Sequence, residues 1–182
     1  MEEKQLYTVT IFSENRVGLL NQISIIYTRR KLNIESLSVS PSSIEGVHKF
    51  TITCYSDRVM MEKVVKQIEK RIDVLKSFLY TDDEIVYQEV ALYKVPTDKL
   101  LDEKNLEVII RNHNARILEI TREYTVIEKT GHSDETEALF EELKRYDIRQ
   151  FVRSGRVAVT KSPIEYVDKF IEEQNRRKEG SK

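Results

Sequence analysis

Apolar and polar positions alternate from residue 6 to residue 12. Tyr7, Val9 and Ile11 fall on one side and Leu6, Thr8, Thr10 and Phe12 on the other, in the β-branched and aromatic composition of a strand. A polar turn, Ser13 to Gly18, follows. Val17, Leu20, Ile23 and Tyr27 then recur at spacings of 3, 3 and 4, flanked by Leu19 and Ile26, which predicts a helix with one apolar face. Arg29-Arg30-Lys31 falls in its last turn, where cations complement the helix dipole. Alternation resumes from Ile34 to Ser40 and breaks at Pro41 to Gly46, a turn between antiparallel strands. His48 to Tyr55 is the returning strand, with Phe50, Ile52 and Cys54 on one face. Asp57 caps a helix whose inner positions are Met61, Val64, Val65, Ile68 and Ile72, and Val74 to Thr81 is a last strand.

The order β-α-β-β-α-β within about 80 residues is the ferredoxin-like arrangement, an antiparallel sheet with two helices on one face. The same order is legible a second time. Ile85 to Val95 is a strand ended by Pro96, and Thr97 or Asp98 opens a helix to about His113 with Leu101, Val108 and Ile109 inward. Ala115 to Thr121 and Tyr124 to Lys129 are strands. Asp134 and Glu137 form a capping-box-like pair for a helix through Leu139, Phe140 and Leu143, and Phe151 to Thr160 closes the copy with a bulge or bend at Ser154-Gly155. The fold class is α+β, with two tandem ferredoxin-like units at 1–82 and 83–162 hinged near Asp82-Asp83-Glu84. Residues 163–182 are a tail in which Pro163, Tyr166, Val167, Phe170 and Ile171 predict a short amphipathic helix that frays, open to packing or to docking a partner.

Charge narrows the function classes. The 182 residues carry 30 basic and 31 acidic side chains, divided 12 and 10 up to residue 82 and 18 and 21 beyond it, so neither half is a basic arm for nucleic acid. The start is acidic, no stretch approaches the ~20 apolar residues of a membrane span, and the single Cys54 makes no disulfide or cysteine-based zinc cluster within the chain. A cytoplasmic protein is expected. His48, His113 and His132 lack metal-ligand spacing, and His132-Ser133-Asp134 cannot fold back on itself into a triad. Cys54 reads as a small buried hydrophobe. No phosphate-binding or nucleophile motif occurs, so no active site is expected.

One constellation remains. Glu14-Asn15-Arg16-Val17-Gly18-Leu19-Leu20 delivers a helix N-terminus with a glycine where a side chain would obstruct approach, and the unsatisfied N–H groups of such a terminus suit a carboxylate. Asn15 as a helix cap accounts equally well for the same residues. Asn33, at the entry to the second strand, is read either as a turn former or as part of a site.

Asn15-x-x-Gly18-x-Leu20 at the helix start, with Asn33-Ile34-Glu35-Ser36-Leu37 leading into the second strand, resembles an ACT domain, and more closely the regulatory (small) subunits of acetolactate synthase. Ile72-Asp73-Val74-Leu75, Glu89 to Val95 and Val152-Arg153-Ser154-Gly155-Arg156-Val157-Ala158 extend the likeness over roughly residues 5 to 160. The resemblance implies a non-catalytic protein that activates a separate catalytic subunit and makes it sensitive to a branched-chain amino acid, usually valine, bound where ACT domains of two chains meet. It places thiamine diphosphate, FAD and magnesium on that catalytic partner and no cofactor on this chain, and it implies a homodimer or higher assembly. Carried over by position, the effector residues are Asn15, Val17, Gly18, Leu19, Leu20, Asn21, Asn33 and Ser40. Arg16-Val17 stands where many ACT loops have proline before the glycine, and Ser40 where a small apolar residue is common. A free-standing amino-acid sensor for another enzyme is the alternative. An RNA-binding module of the same β-α-β-β-α-β order would need an aromatic-rich recognition strand that this sequence lacks.

Overall fold

The computed structural model describes residues 4–101, 106–163 and 167. The chain forms two compact units, one running up to Val86 and resuming at Ala158, the other from Tyr87 to Val157. Sequence periodicity placed the second unit at 83–162; by compactness the stretch from Ala158 groups with the first.

In the first unit, β1 (Gln5–Glu14), α1 (Leu19–Arg29), β2 (Ser36–Pro41), β3 (Val47–Ser56), α2 (Arg58–Ile68) and β4 (Val74–Tyr80) follow the expected order. The antiparallel sheet runs β2-β3-β1-β4. Tyr7, Val9 and Ile11 of β1 and Phe50, Ile52 and Cys54 of β3 meet Leu19, Ile23, Ile26 and Tyr27 of α1 and Met61, Val64 and Ile68 of α2 in one core. Three predicted inward positions fail. Val17 is fully exposed because it precedes the helix in the turn, and Leu20 points outward, since the buried face of α1 starts at Leu19. Ile72 lies beyond the end of α2 and is exposed. Asp57 caps α2 as predicted, its carboxylate accepting from the Met60 N–H at 2.7 Å. A short 3-10 turn, Asp82–Glu84, follows β4.

The face of this sheet away from the helices carries Thr8, Thr10, Thr51 and Thr53, all buried, beside Phe12, Phe78 and Tyr80. Residues Ala158 to Thr160 and Val167 line a small cavity of about 60 Å³ with Thr10, Phe12, Lys49, Phe78, Tyr80 and Ile85. The Lys49 ammonium fastens that returning segment, donating to the Ala158 carbonyl at 2.5 Å.

β5 (Ile85–Pro96) leads from the first unit into the second, where α3 (Thr97–Leu101), α4 (Leu106–Asn112), β6 (Arg116–Ile120), β7 (Tyr124–Gly131), α5 (Ser133–Leu143) and β8 (Gln150–Arg153) follow, and β9 (Val157–Thr160) belongs to the returning stretch from Ala158. The second unit's sheet order β6-β7-β5-β8 repeats that of the first sheet position for position, with β9 added on β5. Ala91, Tyr93, Val95, Ile109, Ile127, Leu139 and Leu143 form its core. Val108 is exposed rather than inward, and the side chain of Leu101 lies outside the described residues. The cap of α5 also differs from the expected pair. The helix starts at Ser133, and Glu135, not Glu137, accepts from the N–H of His132 at 2.7 Å. The predicted break at Ser154-Gly155 separates β8 from β9, and Ser154 trades hydrogen bonds with Val90, giving its N–H to the Val90 carbonyl and taking the Val90 N–H on its hydroxyl. Of the predicted C-terminal helix only Pro163 and Val167 fall within the described residues. No helix among the described residues is long and apolar enough to cross a membrane.

Candidate functional site

The loop from Glu14 to Gly18 leaves the end of β1, a core strand, and enters α1 through a left-handed residue. Gly18 is the N-cap with φ of 86°, a conformation that costs a residue bearing a Cβ roughly 1–2 kcal/mol, and a Cβ built there would meet nothing within 4 Å. The glycine is therefore demanded by the backbone turn, and its open side is free for approach. Asn15 is not the cap: no side chain caps α1. Asn15, Val17, Leu20 and Asn21 are all exposed around this turn.

The donors at the helix start are counted directly. The N–H of Leu19 is taken by the Arg16 carbonyl at 3.3 Å, and the N–H of Gln22 by Gly18 at 3.1 Å. Among the described residues, the N–H groups of Val17, Gly18, Leu20 and Asn21 have no acceptor. The expectation that Leu19 belongs to the site is corrected on both counts, because its side chain is buried in the core and its amide is spent. What remains is a cluster of amides with the partial positive charge of a helix start, suited to a carboxylate. Arg16 lies across the loop, paired with Glu14 at 3.1 Å and Asp73 at 3.8 Å, and all three are at least partly exposed.

Asn33 and Ser40 do not join this turn in the same way. Asn33 is exposed beyond the C-terminal end of α1, its amide donating to the Glu35 carboxylate at 3.1 Å. Eleven helical residues, about 16 Å of axis, separate it from Gly18, so a single chain cannot close both on one small ligand. Ser40 is exposed on β2 opposite Lys49, itself opposite Phe12, which puts it at the loop end of the sheet but two strands, roughly 10 Å, across.

Two residues at the root of the loop escaped the motif reading. Ser13 is fully buried with its hydroxyl unpartnered, and directly opposite it on β3 stands half-buried His48, whose Nδ1 is buried and likewise unpartnered among the described residues. The signal for them was phase: Ser13 continues the inward series Tyr7, Val9, Ile11, and His48 the series Cys54, Ile52, Phe50, so each is a polar residue at a core-facing position.

Nucleophilic or acid–base chemistry finds no support in the core. Burial, and secondarily the charge of Glu35, pushes the Cys54 thiol up to about 11. Burial also drives the Tyr27 phenol upward, with Cys54 adding to it. Among the described residues no cluster of His, Cys, Asp or Glu could hold a metal ion.

Residues 9–76 match the family described as AHAS small subunit-like ACT domain, and residues 88–162 the family described as small subunit of acetolactate synthase. The chain is 35% identical over 159 residues to the acetolactate synthase small subunit of Bacillus subtilis, covering 85% of this chain and 89% of that protein. It is 31% identical to the acetolactate synthase small subunit of Mycolicibacterium smegmatis, covering 86% and 92%. The crystal structure of the acetolactate synthase small subunit from Thermotoga maritima superposes with a TM-score of 0.79 at 25% identity, over 88% of this chain and 99% of that one. With the two repeated sheets, this shows that the chain belongs to the family of acetolactate synthase small, regulatory subunits built from ACT-type units.

Proposed function

We propose that this chain binds a branched-chain amino acid, most simply valine, at the turn into α1 and uses it to control a separate acetolactate synthase catalytic subunit that it also activates. The observation that carries the reading is the set of unspent amides at Val17, Gly18, Leu20 and Asn21 around a glycine whose Cβ side is open. They donate to the effector carboxylate, while exposed Val17 and Leu20 offer apolar surface to a branched side chain. The separation of Asn33 from Gly18 favours a site shared between two chains, with Asn15 of one and Asn33 of a second copy on the polar ends. A ligand bridging two chains favours one dimer arrangement over others, and a coupling of about 1–3 kcal/mol to partner binding alters affinity about 5- to 150-fold. On this reading thiamine diphosphate, FAD and magnesium belong to the catalytic partner, and the protein works in the cytoplasm.

The test is to mix the chain with an acetolactate synthase catalytic subunit and measure acetolactate formation with and without valine. The expected result is stimulation by the chain and reversal of it by valine. Gly18→Asp puts a carboxylate into a carboxylate site and a Cβ on a left-handed residue. It should remove valine binding in calorimetry and the valine effect on rate, while stimulation of the partner persists. Unchanged valine binding by that variant would sink the site. Stimulation of a different amino-acid enzyme, with none here, would favour a free-standing sensor.

A further inference from the structure

We propose that Ser13 and His48 form the ammonium subsite of the loop site, so that the protein selects α-amino acids over the corresponding carboxylic and 2-oxo acids; this rests on the amino-acid reading above. Backbone amides at the start of α1 are donors only. They account for a carboxylate and offer nothing to an α-ammonium group, which brings three N–H donors of its own. Asn15 and a second copy's Asn33 bring amide oxygens from outside the sheet, and further acceptors at the same end of the sheet complete the three bonds that the ammonium can donate. Ser13 Oγ and His48 Nδ1, the latter in the tautomer that carries its proton on Nε2, are two such atoms, on residues paired across β1 and β3 at the position immediately before the loop. Both are buried and both lack a partner among the described residues, in a protein class where a buried, unsatisfied polar atom costs about 1–3 kcal/mol.

Their placement links the two halves of the candidate site. His48 faces Ser13 on one side and Pro41 of β2 on the other, so the row Ser13–His48–Pro41 runs from the loop to the neighbour of Ser40. Ser13 lies on the core-facing side of the sheet, the side from which α1 begins at Leu19. Both acceptor atoms are shut off from solvent, so a ligand reaches them only when neighbouring structure moves, and the exposed Glu14–Gly18 loop adjoins Ser13 in the chain. That loop is held by the exposed Arg16 pairing with Glu14 and Asp73, a type of contact worth little in water, and by backbone bonds from the Glu14 N–H to the Asp73 carbonyl at 2.9 Å, the Arg16 N–H to the Glu14 carbonyl at 3.0 Å and the Leu19 N–H to the Arg16 carbonyl at 3.3 Å. Closing the loop over a zwitterion places the carboxylate on the amides and the ammonium on the two acceptors.

Calorimetry on the full chain with valine and with 3-methylbutanoate, its deaminated counterpart, tests this. The wild-type chain should bind valine markedly more tightly than 3-methylbutanoate. Ser13→Ala and His48→Leu should each weaken valine about tenfold to a hundredfold, the usual worth of a hydrogen bond to a charged group, and leave 3-methylbutanoate unchanged. Ser13→Thr and His48→Asn, which keep an acceptor near the same place, should restore most of the valine affinity. Equal losses for both ligands would overturn the subsite in favour of a general effect on the loop. Unaltered valine binding would overturn it in favour of an ordered water between the two side chains. Wild-type valine binding that survives Gly18→Asp would instead remove the loop site itself, and the absence of any amino-acid binding by the wild-type chain would remove both.

Discussion

At the scale of single residues, the backbone is most demanding where helices end. Lys31, Asn114 and Asp147 all adopt left-handed conformations, with φ of 55°, 48° and 63°. Lys31 follows α1 and Asn114 follows α4, the equivalent place in the two units, and each sits where a helix commonly ends on glycine. After α1 the N–H groups of Lys31 and Leu32 return to the Thr28 and Tyr27 carbonyls at 3.0 and 3.1 Å, which satisfies the helix end but holds a lysine in a conformation that suits glycine. The basic run therefore divides: Arg29 completes the last turn, Arg30 is the cap and Lys31 is outside the helix. Asparagine tolerates the left-handed region through its short polar side chain, and lysine has no such compensation. Lys31→Gly should thus raise the urea unfolding free energy by about 1 kcal/mol, and Asn114→Gly by less. A destabilised Lys31→Gly would mean that the lysine side chain makes up the backbone cost. The glycine that the sequence does place, Gly18, occupies the one left-handed position next to the candidate ligand site, where a side chain would stand in the path of a ligand.

At the scale of elements, α5 shows what a cap does and how it responds to pH. Glu135 turns back to accept from the His132 N–H at 2.7 Å and receives Lys129 Nζ at 3.3 Å. Gly131 makes room for it: a Cβ there would stand 2.7 Å from the Glu135 carboxylate. The backbone hydrogen bond from His132, helped by Lys129 and opposed by partial burial, holds the Glu135 carboxyl below the usual carboxylate range. A carboxyl lowered on folding stabilises the native state above its unfolded value, and that contribution fades as pH falls through the lowered native value. Glu135→Gln should therefore lower the urea midpoint at neutral pH, and the gap to wild type should close as the solution is acidified below pH about 4. A gap independent of pH would show that geometry, not charge, carries the cap. The sequence located this helix but paired Asp134 with Glu137, because a histidine is a poor N-cap and hides the true start. In general, element type and order were legible because strand and helix periods differ sharply. What failed were positions at element ends, such as Val17, Leu20 and Ile72, where one residue of offset in a helix start rotates the inward face. The candidate loop was legible as a motif, yet Asn33 was not visibly separate from it until the length of α1 set the distance, and Ser13 with His48 were hidden because their meaning lies in strand phase and pairing register.

At the scale of the whole molecule, the chain doubles one ferredoxin-like unit and then returns to the first copy. That return bears on which surface of the first unit other chains can use. A four-stranded sheet with helices on one side leaves its other side open, and here Thr8, Thr10, Thr51 and Thr53 on that side are nearly inaccessible. The T-shaped pair Phe12–Phe78 and the stacked pair Phe78–Tyr80, with ring centres 6.2 and 6.1 Å apart, lie on the same side, and Ala158, Val159, Thr160 and Val167 close over part of it. With part of this face covered, the sheet edges β2 and β4 and the helix layer offer open surface for association between copies, and β2 is the edge that carries Ser40. The core of Tyr7, Ile11, Ile26, Ile52 and Ile68 lies on the opposite side, and among the described residues it draws nothing from the returning segment. A chain ending at Val157 should therefore keep the first unit folded, with far-UV circular dichroism reduced only in proportion to the residues removed. It should bind a hydrophobic dye such as 8-anilinonaphthalene-1-sulfonate several-fold more strongly, since an aromatic face has been uncovered. Lys49→Met keeps the segment and loses the bond to the Ala158 carbonyl, and dye binding by that variant should fall between the truncated and full-length chains. Dye binding unchanged by truncation would mean that Thr8 to Phe12 are covered from within the remaining chain, and the returning segment would then be a passenger on the sheet and not its cover.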